Sequence, residues 1–201
     1  MAAIVVPFRG LGGKRRLRGL PAERRERLML AMLADVLAAT TDVSRTVVVT
    51  PDEHGAEIAE AAGAETVPDP GGGQGAAVAA AIGLLPTDAV LVVNADVPCV
   101  TPYDLRSLLA ATPPGGIALV ASEDGRTNAL SLPAPHLFQP LYGPRSAERF
   151  CSAAADLGLE AVTVPIPNLA DDVDTTADIE RIAERVGPNT HAVLAEYGVP
   201  A

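Results

Sequence analysis

The chain is poor in several residue types on which whole classes of protein depend. Its 201 residues contain two cysteines, no tryptophan, three tyrosines and three phenylalanines. Two cysteines, Cys99 and Cys151, form neither a disulfide framework nor a four-thiolate zinc site. No uninterrupted apolar run reaches about 18 residues, so we expect no membrane span and no membrane partner. The first residues lack the charged start of a signal peptide, which makes a cytoplasmic protein the expectation.

The overall composition is that of a folded protein. Hydrophobic residues make up 48% of the chain and charged residues 20%, proportions that exclude intrinsic disorder. A chain of this length removes roughly 70% of its unfolded surface from water when it folds. Because the sequence contains no linker and no internal repeat, we expect residues 1–201 to form a single domain.

The charge is acidic overall but uneven. A formal net charge of −10 argues against a nucleic-acid partner, which would require a basic face. Eight of the fifteen basic residues nevertheless lie between Arg9 and Arg27. A basic cluster on an acidic protein indicates a compact anionic ligand such as a nucleotide. For the last three, Arg24, Arg25 and Arg27, the solvated face of a helix is an equally good interpretation.

Short apolar segments alternate with helical patterns along the chain. The predicted strands are 3–8, 45–50, 65–67, 89–96, 117–121, 129–132 and 161–166. The predicted helices are 21–38, 56–62, 76–85, 101–111, one beginning near Ser146 and one from Thr175 to Gly187. Thr101 and Thr175 each begin a capping pattern with an acid three residues later.

The strands are apolar throughout rather than alternating, so both faces of their sheet must be covered. The pattern therefore predicts an α/β protein, with a three-layer α/β/α arrangement around a mostly parallel mixed sheet. Ligand sites of such sheets lie at the carboxyl ends of the strands. The loops that follow strands are therefore the first places to look for chemistry.

The first of these loops, residues 9–17, combines glycines with basic residues. Gly12 and Gly13 allow backbone N–H groups to approach phosphate oxygens, and Lys14 and Arg16 supply positive charge. The loop is not a P-loop, because neither the first glycine nor the magnesium-binding hydroxyl residue of that motif is in place. Its pattern indicates phosphate binding of another kind.

A second glycine-rich segment, Gly71, Gly72 and Gly73, stands just before a predicted helix. Its spacing formally matches a dinucleotide fingerprint, but that fingerprint belongs directly after the first strand. We interpret it as a glycine-lined wall against which a base or ribose lies. A flexible surface turn is the alternative.

Three carboxylates are candidate ligands of a magnesium ion. Asp96 ends the most hydrophobic strand, whose burial gives a ligand a rigid mount. Asp172 and Asp174 share one side of the chain if their segment is extended. The alternatives are a turn cap for Asp96 and a helix-start acid cluster for the other two.

Neutral polar residues form a further candidate site. Thr127 precedes a predicted strand, and Gly143 and Ser146 precede a predicted helix, whose free N–H groups suit an anion. Ser146 as a plain N-cap is an alternative that is compatible with this role. The three histidines are scattered, and the cysteines are expected to be small buried residues. We therefore expect no covalent catalysis.

Together these segments resemble the GT-A-like nucleotidyltransferases, and more closely the family of 2-phospho-L-lactate and phosphoenolpyruvate guanylyltransferases. The matching segments lie in family order from near residue 4 to near residue 182. They are VPFRGLGGKRRL (6–17), LMLAMLADVL (28–37), PDPGGG (68–73), NADVP (94–98), TNALSL (127–132), YGPRSAERF (142–150) and DDVDTTADI (171–179).

The resemblance implies transfer of GMP from GTP to the phosphate of phosphoenolpyruvate or 2-phospho-L-lactate. Pyrophosphate is released, and the reaction serves the biosynthesis of coenzyme F-420, whose next enzyme is a further expected partner. It also implies two Mg²⁺ ions on Asp96, Asp172 and Asp174. Lys14 and Arg16 resemble the catalytic basic pair of the nucleotide loop.

On the acceptor side, Thr127, Gly143 and Ser146 resemble the residues that hold the phosphorylated three-carbon acid. The resemblance leads us to expect phosphoenolpyruvate as the preferred acceptor. Because the two acids differ at only one carbon, we also expect some turnover of phospholactate. The alternatives are another phosphorylated acceptor (3-phosphoglycerate, a sugar phosphate or a molybdopterin) and a non-catalytic GTP-binding module.

The chain departs from the family pattern at a few positions. Gln74 and Gly75 replace the usual Leu-Asn after the glycine run, and Arg145 replaces a glycine. The basic loop is also about one residue shorter than the resemblance predicts. The first and last of these changes bear on how the nucleotide lies, and therefore on the strictness of the guanine preference.

Overall fold

The computed structural model describes residues 2–12, 17, 20–85 and 88–196, and these form one seven-stranded sheet with helices around it. In chain order the strands are β1 (Ala2–Pro7), β2 (Thr46–Thr50), β3 (Glu65–Pro68), β4 (Ala89–Val93), β5 (Ile117–Ala121), β6 (Thr127–Leu132) and β7 (Ala161–Thr163). They lie side by side in the order β3-β2-β1-β4-β6-β5-β7. The predicted residues Gly13, Lys14 and Arg16 lie outside the described ranges.

Helices cover both faces of this sheet, which confirms the predicted three-layer α/β/α class. They are α1 (Ala22–Thr41), α2 (Glu53–Ala61), α3 (Gln74–Leu84), α4 (Pro102–Ala110), α5 (Ser146–Asp156), α6 (Pro167–Ala170), α7 (Thr176–Ile182) and α8 (Pro188–Glu196). Residues of α3 and α5 share a core with Val5 and Val92, and residues of the other helices share a core with Ile4 and Leu91. Neighbouring residues of one strand therefore enter opposite cores, which is why the central strands β1 and β4 are apolar throughout.

β6 runs antiparallel to β4 and β5, whereas the other strand pairs are parallel. Its first residues, Thr127 and Asn128, consequently lie at the edge of the sheet where β4 ends. The Asn94 N–H donates to the Asn128 carbonyl across this edge at 2.9 Å. The strand predicted at 129–132 thus begins two residues earlier, and the reversal brings its polar start to the carboxyl ends of the parallel strands.

The last helices differ from the sequence prediction. A single closing helix up to Gly187 is wrong, because α7 ends at Ile182 and α8 follows after a turn. Asp35 of α1 is only 4% exposed and accepts hydrogen bonds from the N–H groups of Asn189 and Thr190 at 3.0 and 2.8 Å. The carboxylate therefore caps α8 from a distant helix. A side chain at position 187 would overlap Asp35, so glycine is required there.

Two predicted strands are too long. Segments 89–96 and 161–166 keep strand geometry only as far as Val93 and Thr163. Ile166 stands instead at the start of α6, and its side chain is 7% exposed. Its apolar character therefore reflects burial in the core rather than membership of a strand.

Two helices begin earlier than predicted. The helix predicted over 56–62 starts at Glu53, because the Asp52 carboxylate accepts a hydrogen bond from the Gly55 N–H at 2.9 Å and caps it. The next helix starts at Gln74. The capping patterns that open α4 and α7 are confirmed, since both capping boxes are formed. Among the described helices, none has the length and apolar character needed to cross a membrane.

Candidate active site

A cleft of about 900 Å³ opens along the edge of the sheet where the parallel strands end. The loops after β1 and β4, the first residues of β6 and the beginnings of α3 and α5 all line it. The segment between α6 and α7 completes the wall. This is the position expected for a ligand site in an open α/β sheet.

Three carboxylates meet in this cleft, and we call Asp96, Asp172 and Asp174 the carboxylate cluster. Each is half-buried and offers one oxygen, and these oxygens lie within 4.8 Å of one another. The structure therefore brings together the three residues predicted as magnesium ligands, although they come from two distant parts of the chain. Like charges at this separation repel, so a cation between them would be stabilising.

One backbone contact explains how the two parts meet. The Val173 N–H donates to the Asp96 carbonyl at 3.0 Å, and the Val173 side chain is 1% exposed. With Val173 packed in the core, the flanking Asp172 and Asp174 both line the cleft. The shared side that their spacing predicts is therefore present.

The preceding residue, Asp171, has a different environment. Its carboxylate forms ion pairs with Arg181 and Arg185. Burial acts to raise the pKa of Asp171, but the hydrogen bonds from Arg185 and Arg181 outweigh it and hold the pKa below its usual value. Asp171 thus joins α7 and the turn after it to the segment before the cluster and is not one of the residues lining the cleft.

Two hydroxyl groups also line the cleft, and we call Thr127 and Ser146 the hydroxyl pair. Both residues are buried, and the Ser146 hydroxyl donates to the Thr127 hydroxyl at 3.0 Å. The alternative that Ser146 is the N-cap is wrong, because Ser146 is the first helical residue of α5 and Arg145 holds the cap position. Arg145 adopts the left-handed conformation, with φ at 53°.

The segment before α5 is held by a side chain of the helix itself. The Arg149 guanidinium donates to the carbonyls of Leu141 and Tyr142 at 2.5 and 2.8 Å. Gly143 follows with φ at 122°, a conformation that favours glycine. Burial raises the pKa of the Tyr142 phenol well above its usual range, so it stays neutral. These contacts fix the backbone on which the predicted acceptor residues stand.

The glycine wall lies on the side of α3. Gly71, Gly72 and Gly73 all have φ between 80° and 94°, and the last two line the cleft while Gly71 is exposed beside them. Each would be strained with a side chain. The Arg9 guanidinium approaches this wall, 3.5 Å from where a Cβ on Gly73 would stand.

The basic residues are divided by the structure. Gly12 is exposed at the end of the described part of the first loop, and Lys14 and Arg16 lie beyond it. Arg24 and Arg27 are exposed at the start of α1, and Arg27 forms an ion pair with Glu196 at 2.6 Å. Their place on a solvated helix face fits the second interpretation given above.

The cysteines take no part in the cleft. Cys99 is 3% exposed, and burial raises the pKa of its thiol to about 11, so it is protonated at neutral pH. Cys151 is half-buried, so the expectation of full burial is wrong for this residue. Neither thiol lines the cleft.

Four further polar residues line the cleft but have no role in the predicted site: Gln74, Asn94, Arg126 and Asn128. The sequence marks Gln74 only as a departure from the family pattern. The three amides are hydrogen-bonded to one another and to Asp172. The signal that could have found them is position, since Asn94 and Asn128 stand at the polar ends of two otherwise apolar strands.

The fold and site together define a nucleotidyltransferase of GT-A-like architecture. The profile of the MobA-like NTP transferase domain matches residues 20–163, and the chain belongs to this family. A Nocardia farcinica protein named phosphoenolpyruvate guanylyltransferase is 38% identical, covering 89% of this chain and 83% of its own. A Roseiflexus castenholzii protein of the same name is 37% identical over 95% and 92% of the two chains. The family resemblance stated from the sequence is thus confirmed.

A solved structure gives the same fold. It is a Desulfovibrio desulfuricans protein provisionally described as a nucleotide-diphospho-sugar transferase, with a TM-score of 0.80. It covers 98% of this chain and 96% of its own, at 16% identity. At that identity the likeness supports the fold alone.

Proposed function

We propose that this chain, as one cytoplasmic domain, transfers GMP from GTP to the phosphate of phosphoenolpyruvate and releases pyrophosphate in coenzyme F-420 biosynthesis. The observation that carries the proposal is that the carboxylate cluster and the hydroxyl pair line one cleft of about 900 Å³. Relatives named phosphoenolpyruvate guanylyltransferase, 38% and 37% identical over most of the chain, support the choice of substrates.

The carboxylate cluster is suited to Mg²⁺. Its donors are hard carboxylate oxygens within 4.8 Å of one another, the ligand chemistry that this ion prefers. Asp96, Asp172 and Asp174 would hold the ion, and we propose two ions, as the family resemblance implies. When bound, Mg²⁺ supplies positive charge to the transferring and leaving phosphates.

The hydroxyl pair and the residues beside it form the acceptor end. Because Ser146 donates to Thr127, the Thr127 hydroxyl keeps its own proton for another acceptor, which we assign to an anionic oxygen of the three-carbon acid. Gly143 adds open backbone at the start of α5. Arg126 lines the same end with its guanidinium 3.0 Å from Asp124, and it adds positive charge for the second anionic group of the acid.

The glycine wall forms the nucleotide end. Gly72 and Gly73 allow a base or ribose to approach the backbone, and Arg9 stands beside them. Lys14 and Arg16 are proposed on the resemblance alone to neutralise the triphosphate. In this arrangement the two substrates meet at the carboxylate cluster, between the two ends of the cleft.

The reaction itself requires no general base. The phosphate of the acceptor has a second pKa of about 6 and is mostly a dianion at neutral pH. One of its oxygens attacks the α-phosphorus of GTP, a new P–O bond forms, and the bond to pyrophosphate breaks. His54, His136 and His191 do not line the cleft. The role of the chain is therefore to align two polyanions and balance their charge.

The direct test is a product assay with the purified full chain. GTP, Mg²⁺ and equal amounts of phosphoenolpyruvate, 2-phospho-L-lactate and 3-phosphoglycerate are supplied together, and products are identified by mass spectrometry. We expect the guanylylated phosphoenolpyruvate to dominate, with pyrophosphate in equal amount. Dominance of another acid would overturn the acceptor assignment and leave the guanylyltransferase intact.

Two controls complete the assay. Assays with ATP, CTP or UTP in place of GTP test the guanine preference. This preference is in question because Gln74 and Gly75 stand where the family pattern has Leu-Asn. The variant Asp96→Asn is compared with Asp42→Asn, a surface carboxylate paired with Arg106 outside the cleft. GTP binding with no release of pyrophosphate from GTP in the presence of any of these acceptors would show a non-catalytic binding module instead.

A further inference from the structure

We propose that Asn128 is a positioning residue that fixes the direction of the Asp172 carboxylate, and that its own direction is set through Asn94 by Gln74 at the start of α3. We call these three side chains the amide relay. The inference rests on the proposed function in one respect, since it takes the carboxylate cluster to be the cation site. It goes beyond that function in assigning a role to residues outside the predicted ligand set.

The relay is continuous in hydrogen bonds. The Gln74 amide nitrogen donates to Asn94 Oδ1 at 2.7 Å, and the Asn94 amide nitrogen donates to Asn128 Oδ1 at 3.2 Å. The Asn128 amide nitrogen then donates to Asp172 Oδ1 at 3.2 Å. The path thus joins the residue after the glycine wall to a member of the carboxylate cluster.

An amide has one donating end and one accepting end, so a chain of amides has a direction. Asn128 is 2% exposed, and its nitrogen is shared between Asp172 Oδ1 and the Ala170 carbonyl, which lies 3.1 Å away. Turning this amide round would place its oxygen against two other oxygens and lose the hydrogen bond from Asn94. The direction of the relay is therefore set at both ends. Asp172 Oδ1 and the Ala170 carbonyl accept at one end, and the Gln74 amide nitrogen donates at the other.

The consequence for Asp172 is that Oδ1 is held by a neutral donor from a central strand. The rotation of the carboxylate is restricted, because Asn128 lies on β6 and is immobilised by the sheet. Hydrogen-bond partners of this kind orient metal ligands and commonly change metal affinity 10–100-fold when removed. The same restraint keeps Asp172 near Asp96 and Asp174.

The start of α3, which carries the first residue of the relay, is packed closely against the segment that leads to α5. Gly75 packs on Pro140, where an added Cβ would come within 2.7 Å of the proline side chain. The helix start therefore cannot move independently of the segment that leads to Gly143. Gln74 consequently presents its amide to Asn94 from a rigid position, and the nucleotide wall and the carboxylate cluster share one hydrogen-bonded path.

The experiment measures Mn²⁺ affinity of the full-length protein by electron paramagnetic resonance, without nucleotide or acceptor. We expect Asn128→Ala and Asn128→Leu each to weaken Mn²⁺ binding about tenfold. Leucine has the branched shape of asparagine and at least its volume, so a role that consists only of filling space would be lost in the alanine variant and kept in the leucine variant. Asn94→Ala and Gln74→Leu, further along the relay, should weaken binding by smaller factors, in that order.

The matched control is Asn168→Ala. The Asn168 amide also donates to a carboxylate, Asp104 Oδ2 at 3.1 Å, but this pair does not line the cleft. Its Mn²⁺ affinity should equal that of the wild type. Should the Asn128 variants fail to fold by circular dichroism, Asn94→Ala and Gln74→Leu decide: unchanged affinity in both overturns the relay.

One further variant separates the relay from the function on which it rests. Asp172→Asn must lose Mn²⁺ affinity if the carboxylate cluster is the cation site. Normal binding by Asp172→Asn would refute that site, and the relay with it. Loss in Asp172→Asn together with affinity within twofold of wild type in Asn128→Leu would refute the relay alone.

Discussion

Two neighbouring residues, Asp171 and Asp172, have the same side chain but lie in very different environments. Asp171 is paired with Arg181 and Arg185 and holds α7 and the turn after it in place. Asp172 belongs to the carboxylate cluster, where two further aspartates stand close by and a neutral amide holds its Oδ1. The carboxylate of the first kind stabilises the fold, whereas the carboxylate of the second kind lines the cleft.

The largest expected effect tests this division directly. Asp172→Asn should lower kcat/KM at least about 100-fold, the scale of removing one charge-stabilising group from a shielded site. Its thermal midpoint should stay unchanged or rise, because a like charge is removed from the cluster. Pyrophosphate release and a thermal melt measure the two quantities on the same preparation.

The matched control is Asp171→Asn. It should retain turnover and lose up to about 1 kcal/mol of stability, since it breaks two partly exposed ion pairs. Equal losses of turnover in the two variants would remove the distinction between the neighbouring aspartates.

Asp35 is the most buried example of a carboxylate that serves the fold. Asp35→Ala leaves the N–H groups of Asn189 and Thr190 without their acceptor, and we expect a loss of about 2–3 kcal/mol in the free energy of unfolding. Asp35→Asn keeps one acceptor oxygen, so its free energy of unfolding should decrease less than that of Asp35→Ala. Urea unfolding measures both, and kcat of the folded fraction should be unchanged. A large loss of kcat in the folded fraction would connect α8 to the site.

The dependence of stability on pH sharpens the comparison further. Burial acts to raise the pKa of Asp171 and of Asp178. Hydrogen bonds outweigh this effect, from Arg185 and Arg181 at Asp171 and mainly from Thr175 at Asp178, so both pKa values lie below the usual value of an aspartate. A carboxylate with a depressed pKa in the folded state stabilises the protein above its unfolded pKa, and this stability is lost as the pH falls through the folded value.

The urea concentration at the unfolding midpoint should therefore stay constant from pH 6 to about pH 4 and decrease at lower pH. The double variant Asp171→Asn/Asp178→Asn should show a shallower fall over the same range. Identical slopes for the variant and the wild type would show that other groups control acid unfolding.

The smallest expected effect lies at the acceptor end. Arg145 adopts φ 53°, a conformation that is strained for a residue with a side chain, at a position where the family resemblance predicts glycine. Arg145→Gly should relieve this strain and raise stability by up to about 1 kcal/mol, partly offset by the greater freedom of glycine in the unfolded chain. Thermal melts of Arg145→Gly and of the surface control Arg106→Gly test this prediction. If Arg145→Gly loses as much stability as the control, the backbone at Arg145 is not strained.

Much of the site was accessible from the sequence because its residues sit at recognisable local positions. Asp96 follows the most apolar strand, Asp172 and Asp174 have the spacing of one side of an extended segment, and the glycines precede a helix. The structure brings the carboxylates together as expected. The amide relay was not accessible in this way, because its members lie 20, 34 and 44 positions from their partners along the chain.

By itself the sequence determined what contacts between near neighbours decide. The capping boxes at Thr101 and Thr175 and the left-handed glycines of the wall follow from interactions within a few residues. The apolar strand segments predicted a sheet covered on both faces, because their composition alone requires burial. The tertiary structure alone decided the reversal of β6, the direction of the amide relay and the capping of α8 by Asp35, 154 positions away. The physical reason is that a hydrogen bond between distant residues leaves no periodic or local trace, and its partners are chosen only when the sheet is assembled.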